Sequence, residues 1–348
     1  MPIPRLCALL ALIALLGPMA GCSRPQYYQS QSYVFGTLVQ VSVQGRNPAR
    51  SQRLVGHVLH EFDTLNRRWH AWHPSELTRL DAAFAKGPQA VPLPPGLGAM
   101  LVDATRFSRL SGGLFDPAIG KLIRLWGFEA DTFRPVRPDP AEIARLVRAH
   151  PEMTDIHVQG RTVYSTNPQV RLDFGGYKGY ALDLASRYLR AHGVTSALIN
   201  IGGNIQAIGR HGRRPWRVGI QDPRRPGPIA VTDLRNGESI GTSGDYERYF
   251  VLDGKRYCHI IDPRTGYPAQ GVESVTVIAP PGRLSGALSD AASKPIFISG
   301  VSGWREAARR MGIRDVMLID DRGQVYLTQS MARRLHFVEK GLTLHVVP

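Results

Sequence analysis

A histidine followed at once by an Asp-Pro-x-Thr-Gly turn is the tightest local constraint in this chain. Cys258-His259-Ile260-Ile261-Asp262-Pro263-Arg264-Thr265-Gly266 comes shortly after Gly244-Asp245-Tyr246-Glu247-Arg248-Tyr249-Phe250, a stretch rich in hydrogen-bonding groups. Asp-Pro followed by Gly reads as a tight turn, which would hold the His259 imidazole in one orientation. Histidine has the unperturbed pKa nearest neutrality, so it can take a proton from a hydroxyl and return it. A hydrogen-bonded structural histidine at a strand end is the other reading, and His259 alone does not decide between them. Cys258 beside it invites a Cys-His nucleophile. Adjacent residues in an extended strand point to opposite faces, so the expectation is a buried, inert thiol.

The chain around this turn is globular in composition, with 348 residues, 43% hydrophobic and 20% charged, which excludes wholesale disorder. Its formal net charge of +15 suits nucleic acid, anionic headgroups or phosphate-bearing ligands. The N-terminus argues against nucleic acid, because it reads as an export signal. Arg5 precedes an apolar stretch, Leu6 to Leu16, which Gly17-Pro18-Met19-Ala20-Gly21-Cys22 closes. That is the pattern of a signal peptide over residues 1–21, too short to span a bilayer as a mature helix. Ala20-Gly21-Cys22 resembles a bacterial lipobox, with Cys22 acylated as the mature N-terminus; ordinary cleavage nearby is the alternative. Several acyl chains would hold the protein at a membrane where one holds only weakly. The expected organisation is a tether over 22–30 and one domain over 31–348, lipid-anchored and facing the periplasm or cell exterior. With Cys7 in the signal and Cys22 acylated, Cys258 has no partner for a disulfide in the mature chain.

Leu54, Val55, Val58, Leu59, Phe62 and Leu65 follow the 3.6 period of an amphipathic helix from Arg50 to Trp69. Leu97, Met100, Leu101, Ala104 and Phe107 repeat it, with Gly112-Gly113 to end the helix. Asp116-Pro117 and Asp139-Pro140 read as helix N-caps with proline at the first helical position. Further helices are expected over about 179–191 and 303–311. Strands are expected over about 33–43, 196–208, 216–221, 256–261, 274–278, 316–319 and 324–328. Early helices followed by mostly hairpin-connected strands indicate an α+β fold, read as one unit of two lobes with a ligand cleft between them.

Three loops could carry chemistry. Ser111-Gly112-Gly113-Leu114-Phe115-Asp116-Pro117 is either an anion-binding helix start or a plain joint between helices. Arg171-Leu172-Asp173-Phe174-Gly175-Gly176-Tyr177-Lys178-Gly179-Tyr180 offers close backbone approach, a carboxylate and a lysine, which suits a nucleotide. It matches neither the P-loop nor the dinucleotide fingerprint. Ile201-Gly202-Gly203-Asn204 is a third turn that exposes backbone.

In this order the segments resemble one family, the ApbE-type FAD:protein FMN transferases, over about residues 33–328. Phe35-Gly36-Thr37 resembles the family's M-G-T, and Trp72-His73-Pro74-Ser75-Glu76-Leu77 its aromatic-x-P-x-S-E-L. Leu114-Phe115-Asp116-Pro117 with Leu125-Trp126-Gly127-Phe128 resembles F-D-P…L-W-G-F. Asp173 to Tyr180 resembles D-L-G-G-x-x-K-G-Y, and Gly202-Gly203-Asn204 the G-G-N turn. Thr242-Ser243-Gly244-Asp245-Tyr246 and His259 to Gly266 resemble T-S-G-x-Y and H-I-I-D-P-R-T-G. The resemblance implies that FAD is the substrate and that its FMN part is joined through phosphate to a Thr or Ser of a flavin-accepting membrane or periplasmic protein. It implies catalytic roles for His259, as base, and Asp262. It implies FAD contacts at Phe35, Trp72, Leu114, Phe115, Asp116, Asp173, Lys178 and Ile261, and a Mg²⁺ held by Gly176, Asp290 and the residue at 294. Phosphoryl transfer needs charge neutralisation, in-line positioning and a base, which fits these residue types.

The match breaks at the metal loop, Ser289-Asp290-Ala291-Ala292-Ser293-Lys294-Pro295, where Lys294 stands in place of the family's Thr. An ammonium is repelled by Mg²⁺ instead of coordinating it. The glycine loop is also one residue shorter than usual before Lys178. Lys294 could stand in for the cation, or pair with Asp290 at helical spacing, or mark a non-catalytic FAD-binding lipoprotein. Pro295 argues against a helix through this segment, since it removes a backbone donor and frees the Ala291 carbonyl. Water in place of the acceptor hydroxyl would give an FAD pyrophosphatase.

Overall fold

The structure is a computed structural model that describes residues 26–45, 47–175 and 177–348. The expected signal peptide, the acylated Cys22 and Gly176 lie outside the described residues.

One nine-stranded sheet runs in chain order through the molecule. Its strands are β1 (Tyr27–Val34), β2 (Thr37–Gln44), β3 (Ala197–Ile201), β4 (Asn204–Ile208), β5 (Ser239–Gly244), β6 (Val272–Ala279), β7 (Asp315–Asp320), β8 (Val325–Thr328) and β9 (Leu344–Val347). Neighbours are antiparallel except β8 and β9, which run parallel. The central strands are apolar on both faces. Val275 and Val277 of β6 join one core with Val316 and Leu318 of β7. Ile278, Met317 and Ile319 join another on the opposite face. That second face is covered by a small sheet of Trp216–Gln221, Pro228–Leu234 and His336–Phe337.

Helices cover the first face and the β1–β2 end: α1 (Pro48–Arg68), α2 (Leu97–Ser111), α3 (Lys178–Ala191) and α4 (Ser285–Met311). Asn47 caps α1 by accepting from Arg50 N at 3.0 Å, with Pro48 in the first turn. Its stripe of Leu54, Val55, Val58, Phe62 and Leu65 packs with Val39, Val41 and Val43 of β2. The expected α+β class is therefore the observed one.

Several boundaries differ from the sequence reading. β1 begins at Tyr27 and pairs in register with β2 from Gln44 onward, so the last part of the expected tether is sheet. The expected strand over 196–208 is a hairpin, broken where Gly202 and Gly203 both take positive φ. Asp116 does not cap a helix: that helix starts at Gly120 with Ile119 before it, and Asp116 accepts from Ala118 N and Met153 N instead. The last long helix begins at Ser285, well before residue 303, and carries Pro295 inside it. Pro295 lies buried beside Ile296 and Phe297 in the core under β6 and β7, and that packing outweighs the lost backbone bond. The helix kinks further on, at Gly300, where φ is 60°.

α3 and α4 cross at backbone contact. A Cβ on Gly179 would lie 2.3 Å from the Gly286 carbonyl oxygen, and one on Gly286 would lie 2.4 Å from that of Gly179. Asp183 of α3 accepts from Gly286 N and Ala287 N at 2.8 Å each, which satisfies the open N-terminus of α4. Burial raises the Asp183 pKa to about 6 against the pull of these bonds. Gly179→Ala should therefore overpack the crossing and cost about 1–3 kcal/mol. Gly56→Ala, on exposed α1 with nothing near the new methyl, should gain about 0.5–1 kcal/mol. Denaturant midpoints of the two variants should move in opposite directions; equal midpoints would contradict the close contact.

Candidate functional site

The start of α3, the middle of α4 and the ends of β3–β5 enclose a cleft of ≈ 370 Å³, within the size range of small-molecule sites. Leu114, Phe115, Asp116, Ile119 and Ile123 form one wall, and Gly219, Ile220 and Ile240 part of another. Asp173, Phe174, Gly175 and Lys178 contribute the glycine loop, and Asn200 with Gly202 to Ile205 the β3–β4 turn. Thr242, Ser243, Gly244, Tyr246, Glu247, His259, Ile260, Ile261, Asp290, Lys294 and Ile298, with Pro117 and Gln221, complete it.

Backbone pairing explains how remote segments meet. Asp173 N donates to Pro117 O at 2.8 Å, and Gly120 N to Arg171 O at 2.8 Å, which ties the Phe115–Asp116 wall to the glycine loop. Asp116 holds that wall by accepting from Ala118 N at 2.9 Å, Met153 N at 3.2 Å and Ser108 Oγ at 3.2 Å. Burial still pushes its carboxyl up to about 7. Asp173 is also raised by burial, although Gly175 N donates to it at 2.8 Å and Arg248 and Arg171 favour its charged form.

The Asp-Pro-x-Thr-Gly turn forms as expected. Thr265 N and Gly266 N donate to Asp262 O at 3.2 and 2.8 Å, and Trp126 Nε1 donates to Gly266 O at 2.8 Å. His259 N donates to Arg248 O at 3.0 Å, and Nδ1 lies 3.3 Å from the same oxygen. That contact assigns the ring proton to Nδ1 and leaves Nε2 with its lone pair. Loss of water, followed by the nearby cations Arg248, Lys178 and Lys294, drives the imidazole pKa well below 6.5. His259 is thus neutral and basic at one nitrogen. Cys258 is buried, with its thiol pushed up to about 12, as expected for an inert side chain.

The structure does not gather every residue the sequence singled out. The Asp262 carboxylate accepts from Arg264 N, Nε and Nη2 at 2.9, 3.0 and 2.8 Å and is absent from the cleft wall. It shapes the turn and does not meet the His259 ring. Phe35 is buried against Phe62 and Tyr177, outside the lining. Trp72 also lies outside it, under the Arg248 guanidinium at 5.6 Å from its ring centroid. Both lie behind the site, Phe35 against Tyr177 at the start of α3 and Trp72 against Arg248, whose carbonyl accepts from His259 N. Leu114, Phe115, Asp116, Asp173, Lys178, Ile261, Asp290 and Lys294 are brought together with His259.

Other lining residues escaped the list of expected site residues. Asn204 lines the cleft, while its Oδ1 is buried against Gly241 and has no hydrogen-bond partner. The Gly-Gly-Asn motif was its signal. Glu247 stands exposed in the cleft wall, with only its place beside Tyr246 to suggest it. Gly219 and Ile220 come from a strand whose alternation marks core and carries no chemistry.

The residues at the expected metal position do not fit Mg²⁺. Lys294 Nζ donates to Asp290 Oδ1 at 2.6 Å and to Asp290 O at 2.9 Å, and Gly179 N donates to Oδ2 at 2.9 Å. Burial alone would raise the Asp290 pKa, but the Lys294 ammonium, the Gly179 N–H and Lys178 together outweigh it and hold the carboxylate below its ordinary value. Ser293 Oγ bonds Ser243 Oγ at 2.8 Å. Unit charges about 4 Å apart interact by about 4 kcal/mol near a protein surface, so a divalent ion beside this ammonium would be repelled by about twice that. Among the described residues no group of three His, Cys, Asp or Glu side chains could hold a metal ion.

Residues 35–318 match the model of the ApbE family. The chain is 43% identical over 336 residues to an FAD:protein FMN transferase of Rhodobacter capsulatus, covering 96% of this chain and 63% of that protein. It is 34% identical to the FAD:protein FMN transferase of Treponema pallidum, covering 82% of this chain and 84% of that one. Its fold is similar to the ApbE protein of Thermotoga maritima, with a TM-score of 0.79, 30% identity and coverage of 89% and 99%. It is similar also to the flavinyl transferase ApbE of Pseudomonas stutzeri, with a TM-score of 0.76, 27% identity and coverage of 90% and 98%.

Because the folded-state pKa of His259 is depressed, the unfolded chain takes up a proton near 6.5 that the folded chain refuses. Stability should fall as pH drops from 6.5 toward the folded value, while the imidazole stays neutral through that window. The His259 Cε1–H resonance should show no titration centred at 6.5. A midpoint at or above 6.5 would contradict the cation cluster around the ring.

Proposed function

The chain belongs to the ApbE family, and we propose that it is an FAD:protein FMN transferase. The observation that carries this reading is His259, a neutral base whose Nδ1 proton is held by a backbone carbonyl, lining one cleft with Lys178 and Lys294. The hydroxyl oxygen of a Thr or Ser on the acceptor attacks the phosphorus of the FMN half of FAD. The bond from that phosphorus to the bridging oxygen breaks, AMP leaves, and the hydroxyl proton passes to His259 Nε2. Lys178 and Lys294 neutralise the pyrophosphate and the charge that develops on the leaving group. The apolar wall of Leu114, Phe115 and Ile261 suits a planar ring.

The acceptor is a flavin-accepting membrane or periplasmic protein, and this enzyme meets it from a lipid anchor at Cys22. Support for the anchor is the run from Arg5 to Cys22. Among the described residues no helix is long and apolar enough to cross a membrane. Cys22→Ser should move the protein from the membrane fraction to the soluble one; an unchanged distribution would count against acylation.

Incubation with FAD and a Thr-containing acceptor should place covalent yellow fluorescence on the acceptor in a denaturing gel, with release of AMP. Free FMN and AMP without labelling would make the protein a pyrophosphatase, and tight FAD binding without either product would make it a binding lipoprotein. His259→Ala should slow transfer by about 10²–10⁴-fold while FAD still binds.

A further inference from the structure

We infer that Lys294 replaces a divalent cation in this cleft, so that FMN transfer runs without metal and Asp290 serves as the anchor of an ammonium. The inference rests on the transferase reading and deepens it by naming what neutralises the pyrophosphate. Three facts carry it. Every oxygen of Asp290 faces a donor: Oδ2 accepts from Gly179 N, while Oδ1 and the main-chain oxygen both accept from Lys294 Nζ. The neighbouring hydroxyl, Ser293 Oγ, is turned to Ser243 Oγ and Asp290 O. Although bonded to Asp290 one turn earlier on the same helix, Lys294 lines the cleft with Lys178 and His259 and retains 23% side-chain exposure.

The glycine loop fixes where the ammonium acts. A Cβ on Gly175 would lie 4.0 Å from Lys294 Cε, so the loop that precedes Lys178 is laid along the Lys294 stem. Two ammonium groups therefore flank one loop, from α3 and from α4. A dinucleotide pyrophosphate carries one negative charge on each phosphate; Lys178 and Lys294 bring two positive charges, of which the Asp290 carboxylate offsets one. Asp290 takes two of the three Lys294 Nζ donors, which leaves the third to meet charge on the bridging oxygen as AMP departs. The covalent step is unchanged: the acceptor oxygen–phosphorus bond forms, the bridging oxygen–phosphorus bond breaks, and the proton goes to His259.

The test uses the full chain stripped with EDTA, then assayed with FAD and acceptor with and without Mg²⁺. Transfer should agree within about twofold in the two conditions; a gain of about tenfold or more on adding Mg²⁺ would overturn the inference. Lys294→Met should lose about 10²–10³-fold in transfer with FAD still bound, as expected on removing a group that meets developing charge. Lys294→Thr, which supplies an oxygen and frees Asp290, should transfer only when Mg²⁺ is present. Full activity of Lys294→Met, or of Lys294→Thr in EDTA, would overturn it as well. Calorimetric titration of Mg²⁺ into the FAD-loaded wild type needs no turnover: absence of saturable heat supports the inference, and saturable binding refutes it. Wild type that never labels an acceptor in either condition sinks the transferase reading, while this titration still decides the role of Lys294.

Discussion

The crossing of α3 and α4 is the contact on which the site depends. Each helix satisfies the open N-terminus of the other. Asp183 of α3 accepts from Gly286 N and Ala287 N, and Asp290 of α4 accepts from Gly179 N. Only glycine at 179 and 286 lets the backbones come near enough for these bonds. Helix N-termini leave unpaired donors and a positive dipole end, so two buried carboxylates are stabilising there. The arrangement sets Lys178 and Lys294 against one another across the mouth of the glycine loop, which neither helix could do alone.

The cations gathered by that crossing explain the state of His259. Arg248, Lys178 and Lys294 all disfavour a protonated imidazole that burial already disfavours. Positive charge that would attract a phosphate also expels the proton from the ring. Arg248 is held behind the site between the rings of Trp72 and Phe133, at 5.6 and 5.4 Å from their centroids. Trp72 thus touches one of the cations around His259 although it lies outside the cleft lining.

Much of the fold was legible locally. The stripe in α1, the end of α2 at Gly112 and the Asp-Pro-x-Thr-Gly turn each rest on periodicity or turn chemistry within a short window. What failed depended on distant neighbours. Pro295 argued against a helix because its cost is local, whereas the packing that holds it under β6 and β7 comes from chain far away in sequence. Asp116-Pro117 looked like a helix start, but Met153 N, remote in sequence, claims the same carboxylate.

For the site, residue chemistry pointed to His259, and the resemblance of the ordered motifs to the family added Lys178, Asp173, Asp290 and the break at Lys294, since these are chemical identities that folding does not alter. Tertiary structure alone decided what each group does. It turned Asp262 toward Arg264, set Phe35 and Trp72 behind the cleft, left Asn204 Oδ1 without a partner and closed Lys294 onto Asp290. The physical reason is that a side chain's protonation and reach are set by the groups packed around it, and those arrive from elements far apart in the chain.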